Sequence, residues 1–368
     1  MKIYKNLYIA ATSQHVGKTT CTLGLLSAFK NLGINVGYCK PVGQKFLDIN
    51  NEKVDKDALL FSESLKFDLY PEIHSPVILG QGATTAFLDN PSKFNYNFKI
   101  DNASSVLTRK HELTIYEGTG HPGVGSVVNL SNADVASKLD ANVIMVVEGG
   151  IGNTIDMLSM TTALFREKNV PILGVIINKV IKEKAEKVKY YCQKWLDEHQ
   201  IPLLGILPYD PSLAYPTLRL IVDKIDGVVM YYQERLVRRV VGIIGSSIID
   251  DPKLLSNSDL LLIVSMRRVD DAIKAIRKLS KQQKLVDSPL AGIIATADGN
   301  LNQKSLDYIH QYRIPFIRTR FDTYGTVIKI NRIEVKINTS TPWKVDRAIQ
   351  MISSNVDMQT IIEKSKLD

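Results

Sequence analysis

The chain has 368 residues, of which 45% are hydrophobic and 23% are charged, and its formal net charge is +8. This composition is typical of a soluble globular protein with two or three domains. No apolar run is long enough to cross a bilayer, and the N-terminus predicts a strand rather than a signal peptide, so we expect no membrane partner.

Three cysteines, Cys21, Cys39 and Cys192, show no paired spacing. We therefore expect reduced thiols in a cytoplasmic protein, without a metal cluster. The basic balance is compatible with nucleic acid or with anionic small molecules as partners. The lysines are scattered, as in the alternating charges of residues 182–187, and no basic run is interleaved with aromatic residues. We expect no nucleic-acid partner.

An apolar strand over residues 3–11 leads into a tight loop, and Gly17-Lys18-Thr19-Thr20 opens a helix over residues 18–32. This is the context that a phosphate-binding loop needs. Backbone N–H groups at a helix N-terminus point at anionic oxygens, and the helix dipole adds about half a positive charge there. We predict an ATP site whose loop residues are Ser13, Gln14, His15, Val16, Gly17, Lys18, Thr19 and Thr20.

The loop motif is imperfect, because Thr12 stands where the usual pattern has glycine. The alternative is a strand–turn–helix that carries Gly-Lys-Thr by chance. The motifs that follow along the chain favour the phosphate site. In such a site Lys18 would reach the β- and γ-phosphates, and the Thr19 hydroxyl would hold Mg²⁺.

Two further strands end in charged residues. Lys40 follows a short strand that begins at Val36, and Glu117 ends an apolar strand and is followed by a glycine-rich turn. Because ligands bind at the carboxyl ends of open parallel sheets, we expect both side chains near the loop. Asp57 lies in the first turn of a helix and is either a capping residue or a magnesium ligand. A buried Glu117 without a partner would be costly, which favours a metal role.

Strands and helices alternate over residues 1–210, which predicts a doubly wound parallel sheet of α/β class. The segment over residues 66–100 is predicted to be irregular and to cover a substrate site. After Pro216 the pattern restarts as three βα units, and Asp346–Ser354 is predicted to be a terminal helix. We assign a P-loop catalytic domain to residues 1–215 and a smaller α/β domain to residues 216–368.

The ordered motifs resemble those of the dethiobiotin synthetase family, whose module also occurs in some phosphate acetyltransferases. The resemblance covers about residues 1–215 and is carried by Ala11–Thr20, Gly37–Val42, Asp57–Leu59 and Glu117–Gly120. Residues 216–368 resemble the DRTGG domain that often follows this module. Its motif is only approximate at Arg267–Asp270 and Ala297–Gly299, and Arg320–Tyr324 fits better.

The resemblance implies a role for each matching residue. Lys18 and Lys40 would stabilise charge on the transferred γ-phosphoryl group, and Thr19, Asp57 and Glu117 would hold Mg²⁺. The resemblance also implies that Asn178 reads the adenine edge and that Pro208 borders the base. It implies a homodimer.

The chain departs from the family pattern on the substrate side. His15 replaces an acidic residue and Gln44 replaces a small hydroxyl residue, which makes the pocket more suited to an anionic group. We predict that the substrate is bound by Gln44, Lys45, Gly118, Thr119, Gly120 and His121. Asp57 and His15 are the candidate general bases.

The sequence therefore indicates Mg-ATP-dependent phosphoryl transfer to a small anionic metabolite. The most specific hypothesis is phosphorylation of the 5-hydroxyl of mevalonate 3-phosphate, because the archaeal kinases of that step are similar to this P-loop family. One alternative is a dethiobiotin synthetase-like carboxylating ligase. Another is a regulator that binds a nucleotide without turnover.

Overall fold

The computed structural model describes residues 3–49, 51–245, 258–333, 335–338 and 340–367. The chain forms two compact units. Unit 1 comprises residues 1–210 together with residues 337–368, and unit 2 comprises residues 211–336. Among the described residues, no helix has the length and apolar character needed to span a membrane. The three cysteines fall within the described ranges and are buried, free thiols.

The first part of unit 1 alternates strands and helices, as predicted. In chain order its elements are β1 (Asn6–Ala11), α1 (Lys18–Asn31), β2 (Val36–Cys39), β3 (Val42–Gly43), β4 (Phe46–Ile49), β5 (Glu52–Asp55), α2 (Lys56–Leu65), α3 (Pro71–His74), β6 (Val77–Ile78), α4 (Ala83–Asp89), α5 (Tyr96–Lys110), β7 (Leu113–Glu117), α6 (Asn132–Lys138), β8 (Ala141–Glu148), α7 (Gly152–Glu167), β9 (Ile172–Val180), α8 (Ala185–Glu198) and β10 (Leu203–Pro208).

A six-stranded sheet forms the centre of unit 1, with the strand order β10-β9-β8-β1-β7-β2. All five neighbouring pairs are parallel, so the carboxyl ends of the strands lie along one edge. Every residue of β1 and β7 is buried. Continuous burial is typical of inner strands of a sheet that is covered on both faces, which is the predicted doubly wound architecture.

The segment over residues 66–100 is more regular than its prolines and glycines suggested. It contains α3, β6 and α4, and it runs into α5. The prediction of irregular structure is therefore wrong, and the coverage of a substrate site stays a prediction. Pro71 begins α3 and Pro91 begins a 3₁₀ turn, so at both positions the missing proline N–H leaves no helical bond unmade. Two small sheets, β3-β6 and β4-β5, were also not predicted.

Unit 2 is a second α/β sheet with the strand order β11-β15-β14-β13-β12. The three predicted βα units are present, and they are preceded by a short helix, α9. The edge strand β11, which pairs antiparallel with β15, was not predicted. Its elements are α9 (Leu218–Lys224), β11 (Val228–Tyr231), β12 (Gly242–Gly245), β13 (Leu260–Ser265), α10 (Val269–Gln282), β14 (Leu290–Thr296), α11 (Gln303–Gln311), β15 (Phe316–Thr319) and α12 (Thr323–Asn331).

The chain then returns to unit 1 through α13 (Pro342–Asn355) and α14 (Met358–Ser365). The helix predicted over Asp346–Ser354 is longer than expected, and α14 was not predicted. Asp357 N donates to Leu204 O at 2.8 Å, so this segment is hydrogen-bonded to β10. The predicted second domain, residues 216–368, therefore extends too far. Its last part packs on the first unit because Ala348, Met351 and Ile352 of α13 are buried there.

Helix α13 crosses α1 at a glycine. A Cβ built on Gly24 would lie 2.2 Å from Ile352 Cγ1 and 3.2 Å from Ala348 O. The two helices can approach this closely only because Gly24 has no side chain.

We predict that Gly24→Ala lowers the free energy of unfolding of unit 1 by roughly 1–2 kcal/mol, because overpacking outweighs the gain in helix propensity. Urea denaturation followed by tryptophan fluorescence measures this unit, since both tryptophans, Trp195 and Trp343, belong to it. Gly152→Ala is the matched control, because its Cβ would meet open space. Equal stability of Gly24→Ala and the control would contradict the close contact between α1 and α13 at Gly24.

Candidate active site

Three adjacent strands deliver the predicted site residues to one edge of the sheet. Ile9 of β1 pairs with Glu117 of β7, and Tyr116 pairs with Cys39 of β2. Lys40 directly follows Cys39, and the predicted phosphate-binding loop directly follows β1. The strand register thus brings together the loop, Glu117 and Lys40, which are far apart in the sequence.

The loop ahead of α1 has the backbone geometry of an anion site. Gly17 has φ 109° and His15 has φ 62°, and the first helical bond of α1 runs from Cys21 N to Gly17 O. The amides before Cys21 have no acceptor inside the helix, and no side chain caps this end. The sequence Gly-Lys-Thr therefore forms a helix N-terminus that suits phosphate oxygens.

Asn178, near the end of β9, is hydrogen-bonded to the backbone of the loop. Its Nδ2 donates to Val16 O at 2.7 Å, and its Oδ1 accepts from Lys179 N at 2.8 Å. A Cβ on Gly17 would lie 2.1 Å from Asn178 Nδ2, so this approach requires glycine. The structure thus shows Asn178 supporting the loop backbone, and the role at the adenine edge stays a prediction. Pro208 ends β10 beside Val180, and its contact with the base also stays a prediction.

Thr19 and Glu117 are in direct contact. Thr19 Oγ1 donates to Glu117 Oε1 at 3.0 Å, and Tyr38 OH donates to Glu117 Oε2 at 3.4 Å. Glu117 is 1% exposed. The hydroxyl and one of the carboxylates that are predicted to hold Mg²⁺ are therefore in contact, and the carboxylate is buried.

Lys40 lies between two acids, only one of which was predicted. Its Nζ is hydrogen-bonded to Asp57 Oδ2 and lies 3.4 Å from Asp55 Oδ1. Asp55 caps α2 by accepting from Asp57 N at 2.8 Å. Asp55 is fully buried, and sequence reasoning missed it as a site residue. The available signal was the spacing Asp-x-Asp at a helix start, which places the first acid at the cap and the second in the first turn.

Burial and neighbouring charge shift the pKa values of this cluster. The pKa of Glu117 is raised to about 7, by burial first and by the Asp57 charge second, while Lys40 and Lys18 oppose both effects. Burial lowers the pKa of Lys40, but Asp57 and Asp55 raise it more, so its net pKa lies above the ordinary value. Burial also raises the pKa of Asp55, which Lys40 opposes. Lys40 is therefore a buried cation that offsets several buried carboxylates.

Lys18 contacts the glycine-rich loop that follows β7. Its Nζ donates to Gly120 O at 2.7 Å. Thr119, in the same loop, donates its hydroxyl to Val42 O, so this loop is tied to β3. Asn132, which sequence analysis did not single out, bonds to Thr119 at both N and O. The structure thus places the predicted substrate residues Gly118, Thr119 and Gly120 beside Lys18.

Most of the remaining predicted residues lie on exposed loops, and Thr20 lies in α1. Gln14, His15, Gln44, Lys45 and His121 are exposed, whereas Ser13 and Thr20 are partly buried. Lys45 O accepts from Lys56 N at 2.9 Å, which connects the Gln44-Lys45 turn to the start of α2. His121 Nδ1 accepts from Gly123 N at 3.2 Å. These side chains are accessible to a ligand from solvent.

The residues predicted to bind a metal ion suit magnesium better than a metal that is coordinated by protein ligands alone. Mg²⁺ is usually bound by one or two carboxylates together with waters and phosphates. Thr19, Glu117 and Asp57 would supply a hydroxyl and two carboxylates of this kind. Within the described ranges, no group of three or more His, Cys, Asp or Glu residues is arranged to hold a metal ion.

A family model described as AAA domain (AAA_26) matches residues 5–217, which is more than half of the chain. The chain belongs to this family of P-loop ATPase domains. The match covers the loop, Lys40, Glu117 and Asn178 and ends close to the boundary of unit 2.

Two kinds of curated protein are similar in sequence to this chain. Phosphate acetyltransferase of Pseudomonas putida is 23% identical over 96% of this chain and 51% of its own length. ATP-dependent dethiobiotin synthetase of Endomicrobium trichonymphae is 29% identical over 48% of this chain and 80% of its own length. The chain thus spans about half the length of the phosphate acetyltransferases it matches. The MinD cell division protein of Aquifex aeolicus covers 57% of the chain at 15% identity, with a TM-score of 0.38.

We predict a pH-dependent effect of Glu117→Gln, measured without metal or nucleotide. Because the pKa of Glu117 is raised by folding, its contribution to stability is complete below pH 4.5 and is lost as the pH rises through about 7. The variant should therefore gain stability relative to the wild type between pH 5 and pH 8, by on the order of 3 kcal/mol.

Urea denaturation across this pH range, followed by tryptophan fluorescence, measures the difference. Glu148→Gln is the control, because it removes a carboxylate at the end of the neighbouring strand β8 where the side chain is exposed. Its effect should stay below about 0.5 kcal/mol. A pH-independent difference between Glu117→Gln and the wild type would show that Glu117 ionises normally.

Proposed function

We propose that this member of the AAA_26 family is a Mg-ATP-dependent phosphotransferase that acts on a small anionic metabolite. One observation carries the proposal. Lys18, at the start of α1, and Lys40, directly after β2, lie at the same edge of the sheet as the Thr19–Glu117 contact and Asp57. Two cations, a hydroxyl and two acids are the groups that phosphoryl transfer requires, since its catalysis is mostly positioning and charge neutralisation.

Each residue has a defined task in this proposal. The loop amides at the start of α1 bind phosphate oxygens, and Thr19, Asp57 and Glu117 hold Mg²⁺. Lys18 exchanges the Gly120 carbonyl for a phosphate oxygen, and Lys40 exchanges Asp57 for the transferred group. ATP supplies the γ-phosphoryl group when it is bound. Asp57 or His15 accepts the proton of the acceptor hydroxyl as its oxygen bonds to phosphorus and ADP leaves.

The acceptor side favours an anion. Lys45, His15 and His121 are exposed on loops at or after the strand ends, and Gln44 adds an amide. An alcohol that carries a carboxylate and a phosphate would be attracted to this region. The specific proposal is that the chain phosphorylates the 5-hydroxyl of mevalonate 3-phosphate, and that it works as a homodimer in the cytoplasm.

A carboxylating ligase is the second candidate, and the dethiobiotin synthetase relatives favour it. The relative from Brachyspira hyodysenteriae is matched over 91% of its own length at 26% identity. A ligase would incorporate bicarbonate into its product, whereas a kinase would not.

We expect ATP-dependent ADP release when the protein is given mevalonate 3-phosphate and Mg²⁺, measured with a coupled assay. Parallel reactions with other phosphorylated and carboxylated alcohols test the broader acceptor class. Reactions with a diamine and labelled bicarbonate test the ligase. ADP release no higher than background with every alcohol, together with label in the product of the diamine reaction, would replace the kinase with the ligase.

We predict that Lys18→Ala lowers the rate of ATP-dependent turnover about a hundredfold or more, because a cation at the transferred phosphate is lost. Circular dichroism checks that the variant is folded. Lys30→Ala is the control on the same helix, because Lys30 is exposed and donates to Leu65 O in the last turn. Turnover that survives in Lys18→Ala would remove the phosphate-binding role of the loop.

A further inference from the structure

We propose that Asn132 is a positioning residue that fixes the Gly118–His121 segment, here called the acceptor loop, for binding of the acceptor. The proposal rests on the proposed function, since it assigns a task to a residue outside the predicted set. The acceptor loop follows β7, and Asn132 is the first residue of α6.

The Asn132 side chain uses both ends of its amide on this loop. Oδ1 accepts from Thr119 N at 2.9 Å and from Tyr8 OH at 2.8 Å. Nδ2 donates to Thr119 O at 2.8 Å and to His121 O at 2.6 Å. Two donors and two acceptors satisfy the whole hydrogen-bonding capacity of an asparagine amide. Asn132 is 4% exposed, so water cannot easily replace these bonds.

Asn132 is itself held firmly. Its backbone N–H donates to Pro122 O at 2.9 Å, and Ser131 begins α6 with a capping box that includes Asp134. A Cβ on Gly118 would lie 2.6 Å from Asn132 Oδ1, so the loop backbone approaches the amide as closely as glycine allows. The first turn of α6 is therefore a fixed frame for the acceptor loop.

The fixed loop lies beside the phosphate-binding lysine. Gly120 O accepts from Lys18 Nζ, and the hydroxyl of Thr119 donates to Val42 O. Thr119 is thus held at N, O and Oγ1 by Asn132 and β3. The acceptor hydroxyl must reach the γ-phosphate near Lys18, so the position of this loop decides how well the acceptor fits. Small errors of position at such a place have large effects on rate.

The variant Asn132→Asp tests the proposal. It keeps the oxygen that accepts from Tyr8 and Thr119 and turns the Nδ2 donor into an oxygen that faces two carbonyl oxygens. We expect the KM for the acceptor to rise about tenfold or more, equivalent to about 1.4 kcal/mol, while the KM for ATP changes less than about threefold.

Asn129→Asp is the matched control. It makes the same chemical change on an exposed residue of the same connection between β7 and α6. It adds the same negative charge near an anionic acceptor but leaves the loop bonds intact, so we expect both KM values to stay within about twofold of the wild type.

If Asn132 had only a structural role, the variant would lose stability, and the KM values for the acceptor and for ATP would change together. Equal changes in the two KM values, or no change in either, would overturn the proposal. If Asn132→Asp fails to fold, Asn132→Ser is measured instead, because serine has no group that reaches both carbonyls.

A second measurement separates this proposal from the proposed function. Hydrogen exchange at the amides of residues 118–121 is compared between the wild type and Asn132→Asp, without substrates. We expect exchange to be at least about tenfold faster in the variant, since the new carboxylate oxygen repels the carbonyl oxygens of Thr119 and His121 and loosens the loop. If no acceptor is turned over by the wild type, the proposed function fails. In that case, unchanged exchange overturns the role of Asn132. Faster exchange then shows that Asn132 fixes the loop but has no role in binding an acceptor.

Discussion

The charge of Lys40 is the interaction on which the site depends. Asp55, Asp57 and Glu117 are all buried near one edge of the sheet, and carboxylates are costly to bury without a compensating cation. Lys40 lies against Asp57 and Asp55, and its charge also opposes the raised pKa of Glu117. Removal of Lys40 would leave Asp55 and Asp57 without the cation that they contact.

Two buried asparagines support the loops around this cluster. Asn178 bonds to the backbone of the phosphate-binding loop, and Asn132 bonds to the backbone of the acceptor loop. In each case a glycine, Gly17 or Gly118, stands where a side chain would collide with the amide. Amide side chains suit this task because they donate and accept at once, and they carry no charge that would compete with phosphate. Uncharged amide side chains thus position the loops that surround the charged groups of the site.

The C-terminal segment completes the unit that carries the site. Helix α13 crosses the helix that begins with Lys18, and α14 ends where Ser365 O accepts from Lys5 N at 2.7 Å. The nucleotide-binding unit therefore contains residues from both ends of the chain. A family match that ends at residue 217 describes its sheet and loops but not this part of its core.

The sequence by itself determined the parallel sheet of unit 1 and the residues at its strand ends. Apolar strands followed by Gly-Lys-Thr, by Lys40 and by Glu117 were recognisable because parallel strands align their carboxyl ends, so sequence position alone implied proximity. Only the tertiary structure decided which side chains touch, such as Lys18 with Gly120 O and Lys40 with Asp55. It alone placed Asn132 against the acceptor loop and α13 across α1, and it showed that Asn178 bonds to the backbone of the phosphate-binding loop. The physical reason is that these contacts join residues far apart in the sequence, and no local periodicity or turn signal records which distant surfaces pack together.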